Sequence, residues 1–264
     1  MKADYHVHTY YSEDSSTPME RQIKQAVSLG LDEICITDHV DYGVKFDDID
    51  YPRYFAEIDG LRRKYAGKIS VRSGLECGVQ AHTAGQYEAL YDTYRDSIDF
   101  ILLSVHQVDD LPFWGQQFQA GKTQDEYQQA YYAELLRVVQ CYHDYSVLAH
   151  VDLMVRYDLA GPYPFSKVRD ITAEILRTAI NDGKGIELNT SSWRYGLNDT
   201  QPCREILRLY HDLGGEILTL GSDAHSPEYI GAHMDEARGI LRGLGFRRFC
   251  TFEGMRAVFH ELIP

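Results

Sequence analysis

Seven short stretches of the chain end in residues able to bind a metal. "DYHVH" supplies His6 and His8, "ICITDH" Asp38 and His39, "SVRSGLE" Glu76, and "FILLSVH" His106. "VLAHVD" adds His150 and Asp152, "IELNTSS" Glu187 and Asn189, and "LTLGSDAH" Asp223 and His225. In an extended backbone His6 and His8 point to one face, with Asp4 beside them. Taken alone, H-x-H is either a chelating pair or two polar residues on a solvated edge. Recurrence separates the two, because packing gives no reason for polar groups to return at the end of run after run. Mixed imidazole and carboxylate donors suit zinc, manganese or iron, and this number of them implies more than one ion.

The elements that must hold these groups are β-rich runs alternating with segments of helical period. The runs lie near 3–8, 32–37, 69–76, 98–105, 146–150, 184–189 and 216–222, with a candidate eighth at 247–252. Between the first two, "TPMERQIKQAVSLG" reads as a helix with Thr17 as N-cap, Pro18 at the first position, Glu20 completing a capping box and Gly30 closing it. "SPEYIGAHMDEARGILRGLG" repeats the Ser-Pro opening, and "FSKVRDITAEILRTAINDGKG" has the apolar spacing of a helix on a sheet. Such alternation gives parallel βα units, and seven or eight of them favour an α/β barrel. All strand ends then converge on one rim, where barrel active sites lie. Six of the eleven histidines stand there. The other five (82, 143, 211, 233, 260) fall in loops or helices, and His143-Asp144 and His211-Asp212 read as cations near helix C-termini.

At 264 residues the chain is expected to be one domain, 1–264, and its 44% hydrophobic content is enough for a substantial core. No apolar run reaches bilayer length, and the N-terminus has no secretory pattern. Five scattered cysteines without a C-x-x-C pair read as reduced thiols, so a cytoplasmic protein is expected. The net charge of −14 draws metal cations and repels nucleic acid. An anionic substrate would then need metals or specific arginines to hold it.

Taken in order from Asp4 to His225, H-x-H, T-D-H, a lone Glu, S-V-H, A-H-x-D and G-S-D-A-H resemble the polymerase and histidinol phosphatase (PHP) superfamily. The resemblance implies a distorted, TIM-like (β/α)7 barrel carrying three divalent metal ions, zinc, manganese or iron. It places the first on His6, His8, Glu76 and Asp223, and the second on Glu76 as a bridge with His106 and His150. The third falls to Asp14, His39 and His225. Asp14, in "SEDSS", is otherwise a turn residue. Asp38 is expected to orient a ligand.

Two arginines bear on the substrate. "AHVDLMVRY" puts Arg156 six residues after His150, and "ELNTSSWRYG" puts Arg194 just past the sixth run. On a rim loop each either grips phosphate oxygens with its planar fork or meets solvent, and spacing leaves both readings open. The H-x-D-x-x-x-R-Y and N-T-S-x-x-R-Y patterns resemble the histidinol-phosphatase branch, which implies the phosphate role. Phe113 and Trp114, opening a long insertion after His106, are expected either to wall the substrate's imidazole or to form the apolar front of a helix. The implied reaction is hydrolysis of L-histidinol phosphate in histidine biosynthesis, by in-line attack of a metal-bridging hydroxide. Glu76, Asp223, Arg156 and Arg194 support it, and His225 or a metal-bound water protonates the leaving alkoxide. The rival readings are a PHP phosphoesterase for another small ester, such as a nucleotide or sugar phosphate, and a non-catalytic metal-binding domain. The latter calls for lost ligands, and none is lost.

Overall fold

The computed structural model describes residues 1–43 and 49–262. Twelve strands run in chain order: β1 (Ala3–Asp4), β2 (Glu33–Ile36), β3 (His39–Val40), β4 (Ser70–Gly78), β5 (Phe100–Ser104), β6 (Gln107–Val108), β7 (Leu111–Pro112), β8 (Val147–Leu148), β9 (Gly185–Asn189), β10 (Leu218–Gly221), β11 (Arg248–Glu253) and β12 (Arg256–Glu261). Between them, among the described residues, lie seven α-helices: α1 (Met19–Ser28), α2 (Tyr51–Lys64), α3 (Ala84–Tyr94), α4 (Gln124–Cys141), α5 (Arg169–Asn181), α6 (Arg204–Asp212) and α7 (Met234–Gly243). The parallel sheet runs β1-β2-β4-β5-β8-β9-β10, with β3 pairing β4. Its first and last strands meet through Tyr5 N–H donating to Leu220 O (2.9 Å) and a parallel bridge between Val7 and Ala224. The result is a nearly closed, seven-stranded TIM-like barrel, as expected. Its strands carry buried aliphatics such as Ile34, Leu75, Leu103, Ile186 and Leu220. The helices cover it with apolar stripes; α1 buries Met19, Gln22, Ile23 and Ala26, spaced by three and four residues.

The run at 247–252 is not an eighth barrel strand. It is β11, and it folds back antiparallel on β12 around Gly254 and Met255, both at positive φ (53° and 63°). Because β1 already closes on β10, the ring has no place for it. Instead the hairpin packs under the barrel, where Tyr5 Oη donates to Phe252 O (3.0 Å) and accepts from Phe252 N–H (2.7 Å).

The start of α1 also departs from expectation. Pro18 is the residue before the helix, and no side chain caps it. Thr17 donates to His225 O (3.1 Å) instead, and Glu20 accepts from Lys64 (2.9 Å), so the pieces of a capping box serve tertiary contacts. Gly30 does close the helix, at φ 69°. A true capping box opens α4, between Thr123 and Glu126. The Ser226-Pro227 opening gives one turn, 227–229, and α7 starts only after Gly231 and His233, both at positive φ.

Candidate metal centre and active site

At the C-terminal rim the strand ends surround Glu76, which is 1% exposed at the end of β4. Oε2 lies 3.0 Å from His6 Nε2, 3.4 Å from His8 Nε2 and 3.1 Å from His39 Nδ1. Oε1 lies 2.9 Å from His150 Nε2 and 3.2 Å from His106 Nε2, and accepts from Ser104 Oγ at 2.7 Å. Asp223 Oδ1 stands 3.8 Å from His6 Nε2 and 3.5 Å from His8 Nε2. At the outer edge Asp14 Oδ2 is 2.9 Å from His225 Nε2 and 3.7 Å from His39 Nε2. All nine residues expected as ligands are therefore in one place. Among the described residues four triads could hold an ion, their donor atoms within 4.8 Å of one another: His6-His8-Asp223, His6-Glu76-His150, His39-Glu76-His106 and His8-His39-His225.

Whether imidazoles can ligate depends on where their protons sit. Four rings spend Nδ1 on an acceptor: His6 on Glu187 Oε1 (2.7 Å), His8 on Ser12 Oγ (3.0 Å), His106 on Asp41 Oδ1 (2.8 Å) and His225 on the Asp223 carbonyl (3.0 Å). Ser12 is free to accept because its own hydroxyl donates to Asp38 Oδ1 (2.6 Å). A proton on Nδ1 leaves the Nε2 lone pair facing inward, the arrangement that metal-binding histidines share. Consistent with this, Nε2 of His6, His8 and His225 and Oε2 of Glu76 are buried without a hydrogen bond among the described residues. Orphaned atoms of that kind are costly unless an ion completes them. The residues fit a metal.

Charge tells the same story. Burial works against charge on His6, yet Glu187, Glu76 and Asp223 outweigh it and hold its pKa well above the ordinary value. Burial is likewise overcome at His39, pushed up to about 9 chiefly by Glu76, and at His106, pushed up to about 10 by Asp41 and Glu76. His8 goes the other way, lowered by burial and by His225 and His39. Despite burial, Glu76 is held well below the carboxylate range by His6, His39 and His106, and Asp223 by Arg156 and His6. Without an ion, protons supply the positive charge that these carboxylates demand.

The backbone gives way to the site in two respects. His150 (φ 24°) and Asp223 (φ 55°) occupy the left-handed region, uncommon for residues with a side chain and held only where the surroundings fix them. Two strand glycines make room for partners of the histidines. A Cβ on Gly78 would sit 1.8 Å from Asp41 Oδ1 and 2.8 Å from His106 Nδ1; on Gly221 it would sit 2.1 Å from Glu187 Oε1 and 2.4 Å from His6 Cβ.

The cluster opens into a cavity of about 520 Å³. Arg156 lines it, 5% exposed, with Nη1 2.8 Å from Asp223 Oδ2, Nε donating to Gln201 (2.6 Å) and Nη2 to Ser191 (2.6 Å). Three of five guanidinium donors are thus committed, and two remain. Arg194 donates to the carbonyls of Ser222 (3.3 Å) and Asp223 (2.8 Å), between the rings of Tyr195 and Tyr229. Tyr11, Tyr51, Trp114, Tyr157 and Tyr195 form aromatic walls. Trp114 fills the expected wall position. Phe113 does not, being fully buried against Phe118 and Tyr131, and the segment begins no helix, since α4 starts at Gln124.

Asp38 reaches His8 at one remove, through Ser12. Asp4 accepts from the backbone N–H groups of Ser222 (2.9 Å), Gly231 (2.8 Å) and His6 (3.4 Å). Asp152 turns to Cys203 N–H (2.8 Å). Asp41 has no role in the sequence reading, although its signal is present: His-Val-Asp occurs at both 39–41 and 150–152. His143 pairs with Asp182, and His211 with Asp212, both exposed.

The chain matches the PHP domain over residues 4–191. It is 32% identical to the histidinol-phosphatase of Lactococcus lactis, covering 97% of this chain and 96% of that one. It is 29% identical to the Thermotoga maritima protein named "Probable histidinol-phosphatase", covering 98% and 99%. The crystal structure of the Lactococcus lactis histidinol phosphate phosphatase, complexed with zinc, L-histidinol and phosphate, superposes with a TM-score of 0.87 over 97% of this chain and 98% of that one, at 32% identity. With its motifs, barrel and rim cluster, the chain belongs to the PHP domain family, in its histidinol-phosphatase branch.

Proposed function

We propose that this protein is a metal-dependent phosphomonoesterase that hydrolyses L-histidinol phosphate to L-histidinol and phosphate. The observation that carries the reading is the convergence of five histidines on the buried Glu76, in a cavity also lined by the buried side chain of Arg156. Similarity along nearly the whole chain to a histidinol-phosphatase supports the choice of ester.

His6, His8, Glu76 and Asp223 would hold one ion, Glu76, His106 and His150 a second, and Asp14, His39 and His225 a third. Such divalent ions supply a nucleophile at neutral pH and Lewis acidity toward phosphoryl oxygens. Arg156 presents its two remaining donors to the phosphate, and Arg194 adds donors from beside Asp223. Each arginine also fixes Asp223, one by its carboxylate and the other by its carbonyl. The aromatic walls exclude water and offer flat faces to the substrate's imidazole. His225 holds its Nδ1 proton on the Asp223 carbonyl, with Nε2 turned to Asp14.

The whole chain acts as one domain in this proposal. Supporting that, β10 lies beyond the matched residues 4–191 yet closes the barrel against the segment after β1. The substrate is a small molecule, and the −14 charge disfavours nucleic acid. No helix among the described residues is long and apolar enough to cross a membrane, and the free cysteines agree with a cytoplasmic setting. The test is phosphate release from a panel of phosphomonoesters after reconstitution with zinc, manganese or iron. L-histidinol phosphate should be the best substrate by kcat/KM; a nucleotide or sugar phosphate leading the panel would refute the assignment.

A further inference from the structure

Among the described residues, two carboxylates line the cavity outside the proposed ligand sets, Asp41 and Glu13. Asp41 is committed, with Oδ1 2.8 Å from His106 Nδ1 and Oδ2 3.6 Å from His39 Nδ1. Glu13 is not. It immediately precedes Asp14, whose side chain turns inward to His225 at 2.9 Å, so the two Cα atoms lie about 3.8 Å apart. Glu13 itself is exposed where it lines the cavity, and no described residue bonds or pairs with it.

The cavity is therefore polarised. Among its lining residues Arg156 has a buried side chain, 5% exposed, whereas Glu13 is an exposed carboxylate that no described residue engages. The proposed substrate is polarised the other way round. Its phosphate ester is anionic, and the next carbon carries an ammonium group, with the imidazole beyond. Placing the phosphate at the metal cluster and Arg156 leaves the ammonium to be met further out. The diffuse negative field of the protein attracts any cation, but only a carboxylate on the wall gives it an address.

We propose that Glu13 is a specificity-determining residue that receives the substrate's ammonium group and selects amino-alcohol phosphates over phosphomonoesters lacking a cation. The inference rests on the substrate reading above. A charge-assisted contact at a cavity mouth is expected to contribute about tenfold in kcat/KM.

The experiment compares wild type with Glu13→Gln on two esters, L-histidinol phosphate and its desamino analogue, 3-(imidazol-4-yl)propyl phosphate. Wild type should prefer the amine-bearing ester. Glu13→Gln should lower kcat/KM for that ester about tenfold more than for the analogue, mainly through KM. Glu13→Asp, which keeps the charge, should recover part of the preference. If wild type cleaves L-histidinol phosphate but the variant loses equally on both esters, or on neither, the inference about Glu13 is overturned while the substrate reading stands. If wild type releases no phosphate from L-histidinol phosphate, the substrate reading fails and takes the inference with it.

Discussion

Arg156 is the residue at which substrate binding and site architecture can be separated by measurement. Replacing it with alanine removes two things. The first is a proposed pair of donors to phosphate, and one charge-assisted hydrogen bond of that kind contributes about 1.5–3 kcal/mol. At about 1.4 kcal/mol per decade, kcat/KM should fall roughly tenfold to a hundredfold. The second is the counter-charge 2.8 Å from the Asp223 carboxylate, in a pair whose members are 5% and 3% exposed. Breaking a buried pair costs about 3–5 kcal/mol. The His6 ring, whose charged form these carboxylates favour, still stands 3.8 Å from Asp223 Oδ1, which favours the low end. For a chain of this size about 3 kcal/mol corresponds to roughly 6–12 °C in Tm. That drop should appear in metal-free protein and shrink on metal loading, because an ion on Asp223 replaces the lost charge. Arg156→Lys should restore most of the Tm but only part of kcat/KM, lacking the planar fork. The assays are phosphate release, inhibition by inorganic phosphate, and thermal melts with and without metal. Wild-type kcat/KM and unchanged phosphate inhibition in Arg156→Ala would refute the phosphate role.

Three further outcomes follow from the same geometry. Glu76→Gln keeps the shape but removes the charge shared by five imidazoles; metal content should fall and kcat/KM drop roughly a hundredfold or more, and full metal with full turnover would remove Glu76 from the bridge. Asp14→Ala should cost one ion of three and lower turnover while the inner two remain, as read by elemental analysis; unchanged stoichiometry returns Asp14 to a turn residue. In metal-free protein His39 and His106 have pKa values raised to about 9 and about 10, so their charged-state stability is fully present below the unfolded value near 6.5 and is lost as pH rises through 9 to 10. The apoprotein Tm should therefore decline between pH 7 and 10 while the loaded protein, with neutral ligand rings, is spared; parallel profiles contradict the protonation assigned here.

The parts of the site legible in the sequence are those written at strand ends. A parallel barrel gathers such ends on one rim, so His6, His8, His39, Glu76, His106, His150, Asp223 and His225 could be grouped without coordinates. The partners that aim them are less legible. His39-Val40-Asp41 continues straight into β3, which carries Asp41 to His106, whereas His150-Val151-Asp152 bends at a left-handed His150 and sends Asp152 to a backbone amide. The same three letters thus have two fates, decided by a backbone angle. The run at 247–252 is β-rich in either role, and nothing local records that β1 and β10 have already closed the ring. Phe113 and Trp114 are adjacent and alike in composition, yet only contact with Phe118 and Tyr131 draws one of them into the core.

Gly78 and Gly221 bear on what can safely be changed in this protein. Glycine within a strand ordinarily weakens the sheet, so both positions invite replacement in any effort to raise thermal tolerance. Neither has the positive φ that warns against a side chain, so a backbone-angle filter would pass them. Yet the added methyl would fall on Asp41 at one position and on Glu187 and His6 at the other. A stabilisation campaign scored by melting temperature alone would thus be drawn toward variants whose histidines are misdirected. Screening for metal retention would have to accompany it from the first round.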